Sequence, residues 1–240
     1  AIYQQHIVSG MTGPMNFGHH AMLRFSNSEL SGLVATSGFR LGQVAPHVFE
    51  APVRRGYQSL KPGARFRSLE QVPSRVGRPA DLSAYPARRG YEDLVMLAGS
   101  RGRDFAWTAV TFPGERFVWF ALKDPRVLVS TVLWNSNGGR HYPPWNGRHL
   151  NVLGLEEVTS YFHYGLAESA APNPVARRGV PTVLQLDPCR PLVVNYIMAI
   201  APVPRGFDHV RSIVALPGRN TVRLVARSGR ATTAALNVGF

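Results

Sequence analysis

From Leu33 onward the chain reads as short β-like runs, each bounded by Gly, Pro or Ser. They fall at residues 33–36, 39–44, 57–60 and 65–69, again at 105–111, 116–122 and 127–133, and later at 183–186 and 192–200. The tail continues the pattern at 212–216, 221–225 and 232–236, and residues 3–9 alternate in the same way. No segment keeps apolar positions three and four apart for the length an amphipathic helix needs. Runs this short bury a face only by pairing side by side, which predicts antiparallel strands closed into a sandwich or barrel. Residues 72–89 and 167–180 lack any period and are expected as loops. No composition shift divides the chain, so residues 1–240 are expected to form one domain.

One stretch departs from this pattern. Residues 134–164 gather Trp134, Trp145, Tyr142, Tyr161, Tyr164, His141, His149, His163, Arg140, Arg148, Glu156 and Glu157, punctuated by Gly138, Gly139, Gly147, Gly154 and the Pro143-Pro144 pair. Aromatic faces, guanidinium forks and titratable side chains together suit a hydroxyl-rich ligand, through stacking, bidentate hydrogen bonds and proton transfer. Trp134, Trp145 and Tyr161 are candidates for stacking on a sugar face, and Asn137, His141 and His163 for holding its hydroxyls. Arg140 and Arg148 are the candidates for an anionic substituent. The three histidines are explained by a polar, ligand-facing loop, so no metal and no cofactor is expected.

The net charge of +13 raises the question of nucleic acid. It comes from 25 Arg against only Lys61 and Lys123, and the arginines lie singly or in pairs, never as a dense block. The expectation is therefore no nucleic-acid partner, with an anionic sugar derivative electrostatically welcome. Cys189 is the single cysteine, which excludes an internal disulfide and leans toward a cytoplasmic location, with the periplasm as the alternative. The longest apolar run, residues 191–203, is broken by Asn195 and falls short of the ~20 residues a helical span requires. No membrane partner is expected. The sequence opens on Ala1-Ile2-Tyr3 with neither Met nor a signal-like segment, which suggests that something upstream is missing.

Three short motifs carry a family resemblance. Asn16-Phe17-Gly18-His19-His20-Ala21-Met22-Leu23 resembles the Asn-Leu-Thr-Asn-His-Ser-Tyr-Phe motif of the galactose mutarotases (aldose 1-epimerases), with Asn16 and His20 on the matching Asn and His. Gly90-Tyr91-Glu92-Asp93 is similar to the family's Gly-(Ile/Tyr)-Asp-His segment, and Leu155-Glu156 to its Leu-Glu-(Pro/Thr)-Gln motif. The resemblance implies a twisted antiparallel β-supersandwich, of which this chain corresponds to the later part. It also implies that a partner chain or subunit could supply the missing first strands. For function it implies interconversion of sugar anomers, with Glu156 as base, His20 as acid, and Glu92 or Asp93 binding a sugar hydroxyl. Two departures reshape the expected pocket: Met22-Leu23-Arg24-Phe25 stands where the family has Tyr-Phe-Asn-Leu, and Glu157 follows the matching Glu. Glu157 is also the alternative base, because a one-residue slip in a strand reverses which side chain faces the pocket. An enzyme requires His20 and Glu156 to converge, whereas a non-catalytic carbohydrate-binding domain would line a groove with aromatics and arginines and leave those two apart or buried.

Overall fold

The computed structural model describes residues 1–102 and 104–239. Two six-stranded antiparallel sheets face each other. The first runs in the order β1 (Ile2–Val8), β14 (Leu192–Pro202), β10 (Phe117–Lys123), β9 (Ala106–Phe112), β4 (Gly32–Thr36) and β7 (Ala84–Tyr85). The second runs β3 (Phe17–Arg24), β12 (Val152–Thr159), β11 (Ser130–Asn137), β8 (Tyr91–Ser100), β5 (Phe39–Val44) and β6 (Arg65–Phe66). A small pair, β2 (Gly13–Met15) with β13 (Leu184–Leu186), and a three-stranded sheet, β15 (Val210–Ala215), β16 (Thr221–Ala226) and β17 (Ala231–Ala235), complete the strands. Among the described residues the longest helix is the short segment α1 (Leu166–Ala170). Among the described residues no helix is long and apolar enough to cross a membrane. The chain is an antiparallel β-sandwich.

Alternation explains how the layers stack. Val95, Leu97, Leu133, Leu153 and Leu155 of the second sheet meet Val110, Trp119, Ala121, Val194 and Tyr196 of the first in the main core. The opposite face of the first sheet, with Trp107, Phe120 and Ile197, is covered by Ile213, Val222 and Leu224 of the three-stranded sheet. The opposite face of the second sheet carries Leu94, Met96, Val132 and Val158, and part of it lies under Tyr161, Phe162, Val175 and Val180 from the segment after β12. Middle strands buried on both faces must be largely apolar, which is why β9 and β10 read as nearly continuous hydrophobic runs, while β8 and β11 carry polar residues such as Glu92, Asp93, Asn135 and Ser136 at one end.

One charged pair enters the space between the sheets with its partners in place. Lys123 of β10 is fully enclosed and forms an ion pair with Glu157 of β12, while its ammonium donates to Ser130 O at 2.7 Å and to Thr131 Oγ1 at 2.9 Å. Thr131 Oγ1 donates in turn to Glu157 Oε2 at 2.7 Å, and Thr108 bonds the other carboxylate oxygen. Burial pulls the Lys123 ammonium below its ordinary proton affinity, and the Glu157 charge opposes that pull.

Candidate functional site

The uncovered part of the second sheet's outer face is the floor of a cavity of about 350 Å³, lined by Phe49, Glu50, Leu94, Trp134, Arg140, Glu156 and His163. Its position follows from strand register. His20 stands opposite Glu156, Met22 opposite Gly154, and Gly154 opposite Trp134, and directly opposed residues of antiparallel strands share a face. His20, Glu156 and Trp134 therefore point outward together. Their chain neighbours His19 and Glu157 point into the sandwich.

His20 Nε2 lies 3.5 Å from Glu156 Oε1, with the imidazole side chain 48% exposed and the carboxylate 20% exposed. Burial raises the Glu156 carboxyl above the usual carboxylate range, and the His20 charge counteracts part of this. Gly154 supplies clearance: a Cβ there would sit 2.9 Å from His20 Cε1 and 3.2 Å from Trp134 Cβ. The His20 ring meets the Trp134 indole edge-on, with centroids 6.0 Å apart.

One wall is an arginine fixed on three sides. The Arg140 guanidinium carbon lies 5.0 Å from the ring centroids of both Trp134 and Trp145, and its Nε donates to Glu50 Oε1 at 2.6 Å. The Tyr142 hydroxyl donates to the same oxygen at 3.1 Å. Cation–π contact and a charge-assisted hydrogen bond together hold the planar fork in one orientation. Across the cavity His163 packs edge-on against Phe49, and burial followed by the Arg140 charge lowers its proton affinity.

Beneath Trp134 lies a second carboxylate. Glu92 is fully buried and accepts from Trp134 Nε1 at 3.0 Å, Ser136 Oγ at 2.9 Å and the Gly139 amide at 3.1 Å. Desolvation outweighs these donors and pushes its pKa up to about 7. Ser136 Oγ also lies 2.6 Å from His149 Nδ1, and the His149 ring stacks on Trp134. The indole that lines the pocket is therefore held at its Nε1 edge by Glu92 and on a ring face by His149.

The structure brings His20, Glu156, Trp134, Arg140 and His163 together and separates them from the other candidates. Asp93 points into the sandwich, where it accepts from the Ser59 and Leu60 amides at 3.0 and 2.8 Å and bonds the Ser59 hydroxyl at 2.5 Å, so it holds backbone and cannot reach a ligand in the cavity. Asn137 is likewise consumed, donating to Ala87 O at 2.6 Å and accepting from the Asn151 amide at 3.1 Å. Glu92 supports the floor without lining the cavity. Tyr161 is buried in the apolar cluster that covers the second sheet. Trp145 stands behind Arg140, and His141 and Arg148 lie on the exposed outer surface of the loop. Glu157 is corrected from alternative base to buried ion-pair partner, because alternation turns it inward.

Sequence reasoning missed Phe49 and Glu50. They reach the cavity from a connection far upstream, and the only available signal was an aromatic residue beside a carboxylate, His47-Val48-Phe49-Glu50. Among the described residues no three His, Cys, Asp or Glu side chains gather as a metal ion would need.

No protein-family model matches the chain, and no curated protein does. Among solved structures it is similar to the crystal structure of a presumed aldose 1-epimerase from Klebsiella pneumoniae subsp. pneumoniae, at 14% identity and a TM-score of 0.48. The likeness covers 82% of this chain and 42% of that one, so the chain spans less than half the length of the structure it matches.

Proposed function

We propose that this chain interconverts the anomers of an uncharged aldose, with Glu156 as general base and His20 as general acid. The observation that supports this most directly is the placement of the two groups. A carboxylate of raised proton affinity lines an aromatic-walled cavity, and an imidazole on the same face of the sheet lies 3.5 Å from it. The two oxygens that must exchange a proton in anomer interconversion, the C1 hydroxyl and the ring oxygen, are bonded to the same carbon. An acid and a base that meet when the pocket is empty can part slightly and take one oxygen each.

The proposed step balances as follows. Glu156 removes the proton of the C1 hydroxyl while protonated His20 delivers its proton to the ring oxygen. The C1–ring oxygen bond breaks and a C1 carbonyl forms. Rotation about C1–C2 presents the other carbonyl face, the ring closes, and both protons return. Trp134 and Phe49 contribute apolar surface to the cavity that would hold the sugar. An uncharged substrate is favoured because Glu50 already neutralises Arg140, which leaves Glu156 as the unmatched charge of the cavity whenever His20 is neutral.

Exchange NMR on a panel of aldoses and sugar phosphates tests the proposal. Wild-type protein is expected to accelerate anomer exchange of a neutral aldose, and His20→Ala and Glu156→Gln each to lose about a hundredfold or more of that rate. Binding without acceleration, unchanged in both variants, would replace the enzyme reading with that of a carbohydrate-binding domain.

A further inference from the structure

Outside the cavity, one hollow is walled by positive charge. It lies between Arg65 of β6 and the segment that carries Pro174, Arg177 and Arg178, and encloses about 480 Å³ with no carboxylate in its lining. None of these three guanidinium groups is in an ion pair among the described residues. Arg40 stands beside them, its Nη1 donating to Gly179 O at 3.3 Å.

The segment that presents Arg177 and Arg178 is held from inside although it has little regular structure. Asn173 is buried; its amide group donates to Thr182 Oγ1 at 3.0 Å, and its Oδ1 accepts from the Val175 and Ala176 amides at 3.1 and 2.9 Å. Thr182 Oγ1 donates to Ser169 O at 2.6 Å. Gly179, at φ 73°, closes the turn by donating its amide to Ala176 O at 2.9 Å. A buried polar network thus fixes the backbone that carries two consecutive, exposed arginines beside a hollow that Arg65 also lines. Guanidinium forks gathered without a counter-charge repel one another, and a tetrahedral oxyanion both removes that repulsion and matches their paired donors.

We propose that this hollow binds a phosphoryl or sulfuryl group, carried either on a small molecule or on a sulfated glycan. The hollow is far larger than the ~30 Å³ share of one water, so it has room for a body attached to the charged group. It shares no lining residue with the Glu156 cavity and stands whether or not the anomer reading holds.

Titration calorimetry at physiological salt tests this, with inorganic pyrophosphate as one probe and a sulfated heparin oligosaccharide as the other. Three proteins are compared: wild type, Arg65→Ala/Arg178→Ala, and Arg219→Ala/Arg223→Ala, which removes the same charge from exposed positions elsewhere. We expect saturable binding of at least one probe, weakened about tenfold in the hollow variant and unchanged in the control. Pyrophosphate binding identifies the small-molecule source, and heparin binding alone identifies the glycan. The proposal is overturned if neither probe saturates, or if the control variant weakens binding as much as the hollow variant, since the attraction would then belong to the net charge of +13. Matching unfolding midpoints for the three proteins establish that the variants are folded.

Discussion

Glu92 shows how a single side chain can link the pocket to overall stability. Its carboxyl releases its proton near 4.5 in the unfolded chain and near 7 in the folded one. Between these values the folded state binds more protons, so stability falls as pH rises through that window, by up to about 3 kcal/mol, and levels off above it. His19 works in the opposite direction. Burial, reinforced by the nearby His6 charge and opposed by Glu157, lowers it to about 4, so its contribution rises with pH from about 4 to 6.5. The two slopes offset each other in wild-type protein. Urea unfolding across pH 4–8 should therefore show a steeper rise with pH in Glu92→Gln than in wild type; superimposable profiles would remove Glu92 as the source. At this scale sequence is informative about type and silent about facing. His20 and Glu156 were identifiable as acid and base candidates. Asp93 was indistinguishable from them, because a carboxylate that holds two backbone amides and one that faces a cavity are the same letter. Glu50 was hidden because its partner, Arg140, is distant in the chain and only the folded connection brings them together.

Strand β12 concentrates most of the design of the site. Gly154 makes room for the His20 ring, Glu156 faces out and Glu157 faces in. Gly154→Val is expected to leave the fold intact and to reduce anomer exchange at least about tenfold, because displacing His20 and Trp134 by even an ångström is costly to oriented catalysis. Circular dichroism alongside the exchange assay separates that result from unfolding. Glu157→Ala should behave differently, losing about 3–5 kcal/mol of stability by stranding the Lys123 ammonium, whereas Lys123→Met with Glu157→Leu should recover most of it. A double variant no more stable than Glu157→Ala would count against that account. Strands β9, β10, β14 and the three of the tail were legible from their punctuated apolar runs. Strand β12 was not, since its glycine and its charged pair made residues 134–164 read as one loop. The run at 57–60 failed in the other direction: Gln58, Ser59 and Leu60 are buried, yet the segment's backbone serves Asp93, Glu92 and isolated bridges and joins neither sheet as a strand.

At the scale of the molecule, the sandwich is stacked between a three-stranded sheet on one side and the segment after β12 on the other. Ending the chain at residue 203 should uncover Trp107, Phe120 and Ile197 and produce aggregation or strong binding of a hydrophobic dye; a soluble, dye-silent product would show that the third sheet is dispensable. That the fold is antiparallel β was legible throughout, because short runs bounded by turn residues permit little else. Which strands share a sheet was not, since β1 beside β14 and β3 beside β12 are pairings across most of the chain's length. The sheet that carries the site is one backbone thick, with His20 and Glu156 on its wet side and His19 and Glu157 on its dry side. It acts as an insulating partition. The buried ammonium–carboxylate pair just behind the pocket floor is neutral as a unit and projects little field through that partition. The potential at the reacting atoms is thus left to the pocket's own groups, and substitutions inside the cavity can retune its chemistry without disturbing the charges that hold the sandwich shut.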